Sequence, residues 1–357
     1  MKKINDLNLK VAEWFKYFGS FAVALILTGI ILLLTIGMNI GLDFAGGATV
    51  NVSLGSDYSN GVYDKEETKE QILNLLKEEG FNVSEGKERW SGEDNTTLEI
   101  GIEYGDKKSG DDAEYQEQFL NSIQGTEAEN FEDGILFKIS ELVKQTDNTF
   151  VKDDCSAQIV GASTARTLLK NAIIAASVAV VVMLIYIMIR FTVASGLAAI
   201  VSLCHDVFIM ITLCTIFQVQ INTTFIAAII TVIGYSINAT IVIFDRVREL
   251  KKLNSLKDAS DSEIVNLAVK NTLTRTIYTT ITTLLVIVVL AVVCSLMGVS
   301  TMAEFALPII FGLLAGTYSS VFLATPLWVY IRKLGAKMKQ TKKSKKSIKN
   351  LKVEDGI

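Results

Sequence analysis

Residues 168–189 read LLKNAIIAASVAVVVMLIYIMI, a run of 22 residues in which Lys170 is the one charged side chain. A helix of about 20 consecutive apolar residues is long enough to cross the hydrocarbon core of a bilayer. This stretch therefore predicts a membrane-spanning helix and places the protein among integral membrane proteins.

Five further stretches share this length and low charge. The six predicted spans are residues 18–38, 168–189, 195–217, 223–244, 277–296 and 306–329. The first follows several lysines and resembles a signal peptide, but it is longer than a signal h-region and lacks an A-x-A-type cleavage site. We therefore expect it to be an uncleaved membrane anchor.

Charge is distributed unevenly along the chain. Residues 40–168 contain 27 acidic and 11 basic side chains, whereas the remainder contains 11 acidic and 23 basic ones. An acidic domain beside basic loops is typical of a protein with different environments on the two sides of a membrane, and nucleic-acid binding is not needed to explain it.

The basic residues also predict orientation. Lysine and arginine cluster before the first span, after the second, between the fourth and fifth, and after the sixth, while loops 218–222 and 297–305 contain neither. The positive-inside rule then places both termini in the cytoplasm. The predicted organisation is a cytoplasmic N-terminus (1–17), a first span (18–38), an extracytoplasmic domain (39–167), five further spans (168–331) and a basic cytoplasmic tail (332–357). The tail could contact acidic lipid or a ribosome, or it could be a solvated segment that helps to fix topology.

The extracytoplasmic domain combines two kinds of pattern. Alternating or β-branched stretches predict strands at 48–54, 81–83, 96–103 and 157–160, and amphipathic stretches predict helices at 65–79 and 135–143. The resulting order β-α-β-β-α-β is that of a ferredoxin-like α+β fold. A turn is expected at 91–95, and residues 104–128 are expected to form a loop or an extra helical hairpin.

Ionisable side chains inside predicted spans are the strongest functional signal in this sequence, because they are costly at membrane depth. Asp206, next to His205, lies 11 residues into the third span, roughly 16 Å at 1.5 Å per residue. That depth is near the middle of the bilayer core. Asp206 could carry a proton, or it could be a structural hydrogen-bonding group that packs helices together.

Other polar residues occur in the fourth and fifth spans. In the fourth span Gly234 permits close helix approach and Asn238 can form hydrogen bonds between helices. Arg275 opens the fifth span and could act on a nearby carboxyl group or anchor the helix at the membrane surface. Supporting intramembrane polar groups are predicted at His205, Ser236, Thr272, Thr276 and Thr279.

The sequence contains no signal for catalysis. A nucleotide-binding loop, a metal-ligand cluster and a nucleophile with its base are all missing from the pattern, and His205 is the single histidine. The four cysteines are interpreted as small packing residues. We therefore expect no enzymatic activity, no metal and no cofactor.

Several motifs occur together in a recognisable order. They are GLDFAGG at 41–47, YIMIRF at 186–191, HDV at 205–207, GYSIN at 234–238, DRVRE at 245–249 and TLTRT at 272–276. In this order they are similar to the motifs of the SecD/SecF family, within the resistance-nodulation-division (RND) superfamily. The signature loop residues are Gly41, Asp43, Phe44, Gly46 and Gly47.

The resemblance implies a six-helix, RND-type half in the bacterial cytoplasmic (inner) membrane. It also implies pairing with SecD, a position beside the SecYEG channel, and contact with translocating preproteins and membrane lipid. The family is understood to use a proton or sodium gradient to assist late preprotein translocation. One position departs from the family pattern: Ala239 stands where the family often has an aspartate thought to bind the coupling ion.

Two other interpretations are open at this stage. The chain could be half of an RND-type exporter of small molecules or lipids, although such exporters usually have both halves in one chain. It could also be a membrane-anchored structural receptor, in which the intramembrane polar residues only pack.

Overall fold

The computed structural model describes residues 10–83, 88–92, 95–104, 113–125 and 134–338. Six of its helices are long and apolar enough to cross a membrane. In chain order the helices are α1 (Phe15–Thr35), α2 (Leu42–Ala45), α3 (Ser56–Ser59), α4 (Lys65–Glu78), α5 (Ala113–Gln124), α6 (Ile135–Lys144), α7 (Ala162–Arg190), α8 (Val193–Ile216), α9 (Thr223–Leu250), α10 (Asp261–Leu296) and α11 (Ser300–Ser319).

The membrane-spanning candidates are α1 and α7 to α11. The last continues through a π-helical segment, Ser320–Ala324, so that the span covers Glu304–Met338. Each of the six predicted spans overlaps one of these helices, and the predicted polytopic helical membrane protein is confirmed. The N-terminal lysines Lys2 and Lys3, and the predicted tail beyond residue 338, lie outside the described residues.

Helix α10 is much longer than the fifth predicted span. It begins at Asp261, where Ser260 and Glu263 form a capping box, whereas the prediction began at residue 277. The added part is amphipathic, with Val265 and Val269 fully buried against the other helices. A search for uniformly apolar segments cannot detect such a stretch, since half of its surface is polar.

The predicted α+β domain is also confirmed. Its strands are β1 (Gly47–Ser53), β2 (Asn82–Val83), β3 (Arg89–Ser91), β4 (Thr97–Glu103) and β5 (Cys155–Val160). All pairs are antiparallel, in the order β2-β4-β1-β5, and β3 also pairs with β4. With β2 and β3 as two pieces of one strand, this is the ferredoxin-like arrangement. The sequence prediction contained β2 but not β3, whose last residue fell in the expected turn.

The domain core lies between this sheet and its helices. Ile72 of α4 and Ile139 of α6 are fully buried, as are Val50 and Ile100 of the two central strands. Asp64 caps α4 by accepting hydrogen bonds from the next turn. Helix α5 was not specifically predicted. It comes from the stretch expected to be a loop or helical hairpin, of which residues 105–112 and 126–128 lie outside the described residues.

Segment 41–47, which includes α2, joins the first span to the domain and contacts the N-terminal end of α9. Asp43 Oδ2 accepts hydrogen bonds from the backbone nitrogen of Thr223 at 3.0 Å and from its hydroxyl at 2.7 Å. Gly47 has φ +140°, and a Cβ there would lie 2.2 Å from the carbonyl oxygen of Ile102. Glycine is therefore required at 47, because β1 and β4 could not pair around a side chain at this point.

The ends of α9, α10 and α11 on the opposite side from the domain are joined by charged and aromatic contacts. Trp328 lies under two cations, with Lys251 Nζ 4.6 Å and Arg332 Cζ 5.1 Å from the ring centroid. Asp261 accepts hydrogen bonds from both cations, at 2.6 Å and 3.0 Å. These contacts fix the relative positions of α9, α10 and the continuation of α11.

Candidate functional site

Asp206 lies in the interior of α8 and is fully buried. Its Oδ1 is 3.1 Å from Nδ1 of the adjacent His205, which is also buried. Ser236 of α9 donates a hydrogen bond of 2.5 Å to Asp206 Oδ2. Both carboxyl oxygens therefore have a partner, one on the same helix and one on a neighbouring helix. A carboxyl group enclosed in this way inside a membrane helix is a candidate for binding a proton or a cation.

Two further polar atoms lie close to Asp206 along α8. Nε2 of His205 and Oγ of Ser202 are buried, and within the described part of the chain neither has a hydrogen-bond partner. They belong to residues three positions apart, which share one face of a helix. The face of α8 that contains His205 and Ser202 therefore has two buried polar atoms available for further hydrogen bonds.

Helix α11 packs closely against α9 beside Ser236, because α11 has glycine at the points where the two helices cross. A Cβ at Gly316 would lie 3.0 Å from Ser236 Cβ and 3.1 Å from its hydroxyl oxygen. One turn earlier, a Cβ at Gly312 would lie 2.3 Å from Val232 Cγ2. The sequence interpretation placed close approach at Gly234, but a Cβ there would have nothing within 4 Å.

A second polar contact joins α9 and α11 one turn further along α9. Thr240 donates a hydrogen bond of 3.2 Å to the hydroxyl of Ser320, which donates one of 2.6 Å to the carbonyl of Gly316. Both hydroxyl residues are buried. Ser320 is also the first residue of the π-helical segment, and single π turns often occur at functional sites.

A third contact adds α10 to this polar interior. Tyr235 donates a hydrogen bond of 3.0 Å to Thr280, which lies 3.0 Å from the hydroxyl of Thr317. Thr272, Thr276 and Thr280 are buried at four-residue spacing, and all three hydroxyls donate hydrogen bonds to carbonyls of their own helix. Thr279, which the sequence interpretation gave as a supporting intramembrane polar group, is exposed.

The structure does not bring Arg275 or Asn238 to Asp206. Both side chains are exposed on the surface of the helix bundle, whereas Asp206 is fully enclosed. Arg275 precedes the buried Thr276 by one residue, which rotates it about 100° away from the buried face of α10. Any contribution from these two side chains must therefore involve something that packs against the outside of the bundle.

Several residues of the candidate site were not predicted from the sequence to contribute to it. Gly312, Gly316 and Ser320 form a small-xxx-small pattern, which is a known signal for close packing of membrane helices. That pattern could have identified α11 as the helix covering the site. The hydrogen bonds of Tyr235 and Thr317 have no comparable signal, because single hydroxyl residues are common in membrane helices.

Comparison with known proteins gives consistent results. Residues 138–334 match the family model described as protein export membrane protein SecD/SecF, C-terminal. The chain is 34% identical over 319 residues to the protein translocase subunit SecDF of Bacillus subtilis, covering 88% of this chain and 37% of that protein. It is 32% identical over 344 residues to the protein translocase subunit SecF of Sebaldella termitidis, covering 95% of this chain and 97% of that protein.

A solved structure has a similar fold. The crystal structure of SecDF from Thermus thermophilus, described as a translocon-associated membrane protein, superposes with a TM-score of 0.68 at 26% sequence identity. The alignment covers 92% of this chain and 39% of that one. The chain therefore spans well under half of the SecDF proteins it resembles and nearly the whole of the SecF protein.

Proposed function

The chain belongs to the SecD/SecF family of protein export membrane proteins, and we propose that it is an accessory subunit of the Sec protein translocase. In this role it uses a proton or sodium gradient to assist late translocation of preproteins through the SecYEG channel. The likeness to a SecF protein over nearly its whole length supports this assignment. The translocase names of the relatives do not favour the alternative of a small-molecule or lipid exporter.

The partner is proposed to be a second six-helix unit of the SecD type. The chain matches only 37% of the Bacillus subtilis SecDF, which leaves room in that protein for another half. On this chain, the exposed polar side chains Asn238 and Arg275 lie on the outside of α9 and α10, where a neighbouring helix bundle could supply their partners. We propose preproteins and membrane lipid as the other partners of this chain.

The observation that best supports gradient coupling is the enclosure of Asp206. A carboxyl group buried between three membrane helices, with both oxygens hydrogen-bonded, can bind a cation or proton from one side and release it to the other if the helix packing changes. The π segment and the glycine contacts of α11 are where such a change would occur. The relatives are translocase subunits, and we propose no enzymatic role for this chain.

Depletion tests the proposed function. Membrane vesicles lacking this chain should export a preprotein at a normal rate during the ATP-driven step but lose the further stimulation given by an imposed ion gradient. Restoring the chain together with its SecD-type partner should restore the stimulation. Equal gradient stimulation with and without the chain would contradict the proposal.

We also propose that both termini are cytoplasmic and that the α+β domain faces outward. The support is the placement of lysine and arginine, which occur in the loops on one side of the six helices and are missing from loops 218–222 and 297–305. The protein is a multi-pass membrane protein with six apolar helices. In a bacterium its membrane would be the cytoplasmic one.

Cysteine labelling tests this topology, but Cys155 is unsuitable. It is 8% exposed, and burial raises the pKa of its thiol to about 12, so the thiol stays protonated and unreactive at neutral pH. In a background without Cys204 and Cys294, Val151→Cys should react with an impermeant maleimide in intact cells. Met338→Cys should react only after permeabilisation. The reverse pattern would overturn the orientation.

A further inference from the structure

The α+β domain meets the membrane helices through a charged cluster, here called the outer junction and formed by Arg89, Glu99, Asn222 and Glu304. Arg89 of β3 bonds to Glu99 on the neighbouring strand and to Glu304 near the start of α11. Asn222, at the start of α9, donates a hydrogen bond of 2.9 Å to Glu304. The side chains of Arg89 and Glu304 are 31% and 17% exposed, so solvent screens their attraction only partly.

The surroundings of the outer junction are polar. A cavity of about 300 Å³ is lined by all four residues together with hydroxyl and amide side chains such as Thr49. Domains joined by polar contacts can separate and reform without exposing much apolar surface to water. The contacts of the outer junction can therefore break and reform more easily than the apolar contacts within the domain core or within the helix bundle.

The two helices at the outer junction are the same two that meet at the buried carboxyl group. Asn222 caps α9, accepting a hydrogen bond of 3.0 Å from the backbone of Phe225. Ser236, which bonds to Asp206, lies 14 residues further along α9, or roughly 21 Å. On α11, Gly316 lies 12 residues after Glu304, or roughly 18 Å.

This arrangement matters because helices are stiff along their axes. A shift of α11 against α9 at Gly316 alters the contact with Ser236, and the same shift must move Glu304 relative to Asn222 at the outer ends. Arg89 connects the start of α11 to the domain through Glu304, and Asp43 connects the start of α9 through Thr223. Both are charge-assisted bonds, which are stronger and more directional than neutral ones.

We propose that Arg89 and Glu304 are positioning residues that transmit the change in helix packing at Asp206 to the α+β domain. This inference rests on the proposed function, since it supplies the mechanical step between ion movement and preprotein movement. It assigns no ion binding to the outer junction itself. Glu99 only orients Arg89 within the domain, because β3 and β4 already pair through their backbones.

The test compares Glu304→Gln and Arg89→Gln with the matched control Glu79→Gln in full-length protein reconstituted with its SecD-type partner. Glu304→Gln removes the charge pair between domain and membrane while keeping the shape of the side chain. Arg89→Gln breaks the same pair from the domain side, so a folding failure of one variant does not end the test. Glu79→Gln removes an ion pair of the domain, with Lys138 at 2.6 Å, that lies outside the outer junction.

Three quantities are measured: gradient-stimulated export, gradient-driven ion entry, and the distance between spin labels at Val62→Cys on the domain and Val299→Cys in the loop before α11. We expect Glu304→Gln and Arg89→Gln to lower stimulated export at least fivefold and to broaden the distance distribution, while ion entry continues. Glu79→Gln should leave all three near the wild-type values.

The outcomes separate this inference from the proposed function. Wild-type protein without stimulated export or ion entry would contradict the proposed function itself. Full stimulated export with a narrow distance distribution in Glu304→Gln and Arg89→Gln would overturn only the role of the outer junction. Loss of ion entry in those variants would also overturn it, since the two residues would then belong to the ion path.

Discussion

Asp206→Asn should reduce gradient-stimulated export to the rate of membranes that lack this chain, while the subunit still assembles with its partner. Asparagine keeps the size and hydrogen-bonding capacity of the side chain, so Ser236 and His205 keep a partner. What is lost is the ability to exchange a proton or neutralise a cation. Asp206→Glu should retain part of the stimulation, because the carboxyl group survives in a displaced position.

The matched control is Asp245→Asn. This carboxylate lies on α9 and pairs with Arg190 at 3.8 Å, but its side chain is 45% exposed. Exposed ion pairs contribute little to stability, about 0–1 kcal/mol. Asp245→Asn should therefore export at close to the wild-type rate. Assembly is checked by co-purification with the partner, so a loss of export in Asp206→Asn can be separated from a loss of the complex.

Gly312→Ala should markedly lower the thermal stability of the helix bundle. The new Cβ would lie 2.3 Å and 2.5 Å from the two methyl carbons of Val232, which is β-branched and cannot easily rotate away. Overpacking of this kind typically lowers the free energy of unfolding by about 1–3 kcal/mol. The displaced α11 would also move away from Ser236, so gradient-stimulated export should fall together with stability.

Gly234→Ala is the matched control on the facing helix. No atom lies within 4 Å of the position its Cβ would take, and alanine is favoured over glycine in a helix interior by about 1 kcal/mol. Its melting temperature in detergent should equal or exceed that of the wild type. If Gly312→Ala melted at the same temperature as Gly234→Ala, the close contact between α9 and α11 would not exist.

Structural features that depend on local composition and periodicity could be predicted from the sequence. Six apolar segments identified the spanning helices, and alternation between apolar and polar residues identified three of the four ferredoxin-like strands nearly whole. The early start of α10 at Asp261 had a local signal as well, since Ser260 and Glu263 are the two residues of a capping box. The span prediction used only apolar length and so began later.

The composition of the site was less predictable, because it depends on which face each helix turns inward. Asp206 could be identified from its depth alone. Arg275 and Thr279 could not be assigned correctly to a face, since threonines are so frequent around them that more than one helical stripe fits the sequence. Arg89 and Glu304 are 215 residues apart, and no local pattern predicts a contact at such a separation.

Ion entry into vesicles containing the assembled complex tests the claim for Asp206 most directly. With an imposed gradient and a preprotein engaged in the channel, wild-type complex should admit protons or sodium ions, and Asp206→Asn complex should admit them no faster than vesicles without the subunit. Ion entry by assembled Asp206→Asn complex at the wild-type rate would contradict the account, because the ion path would then not depend on Asp206.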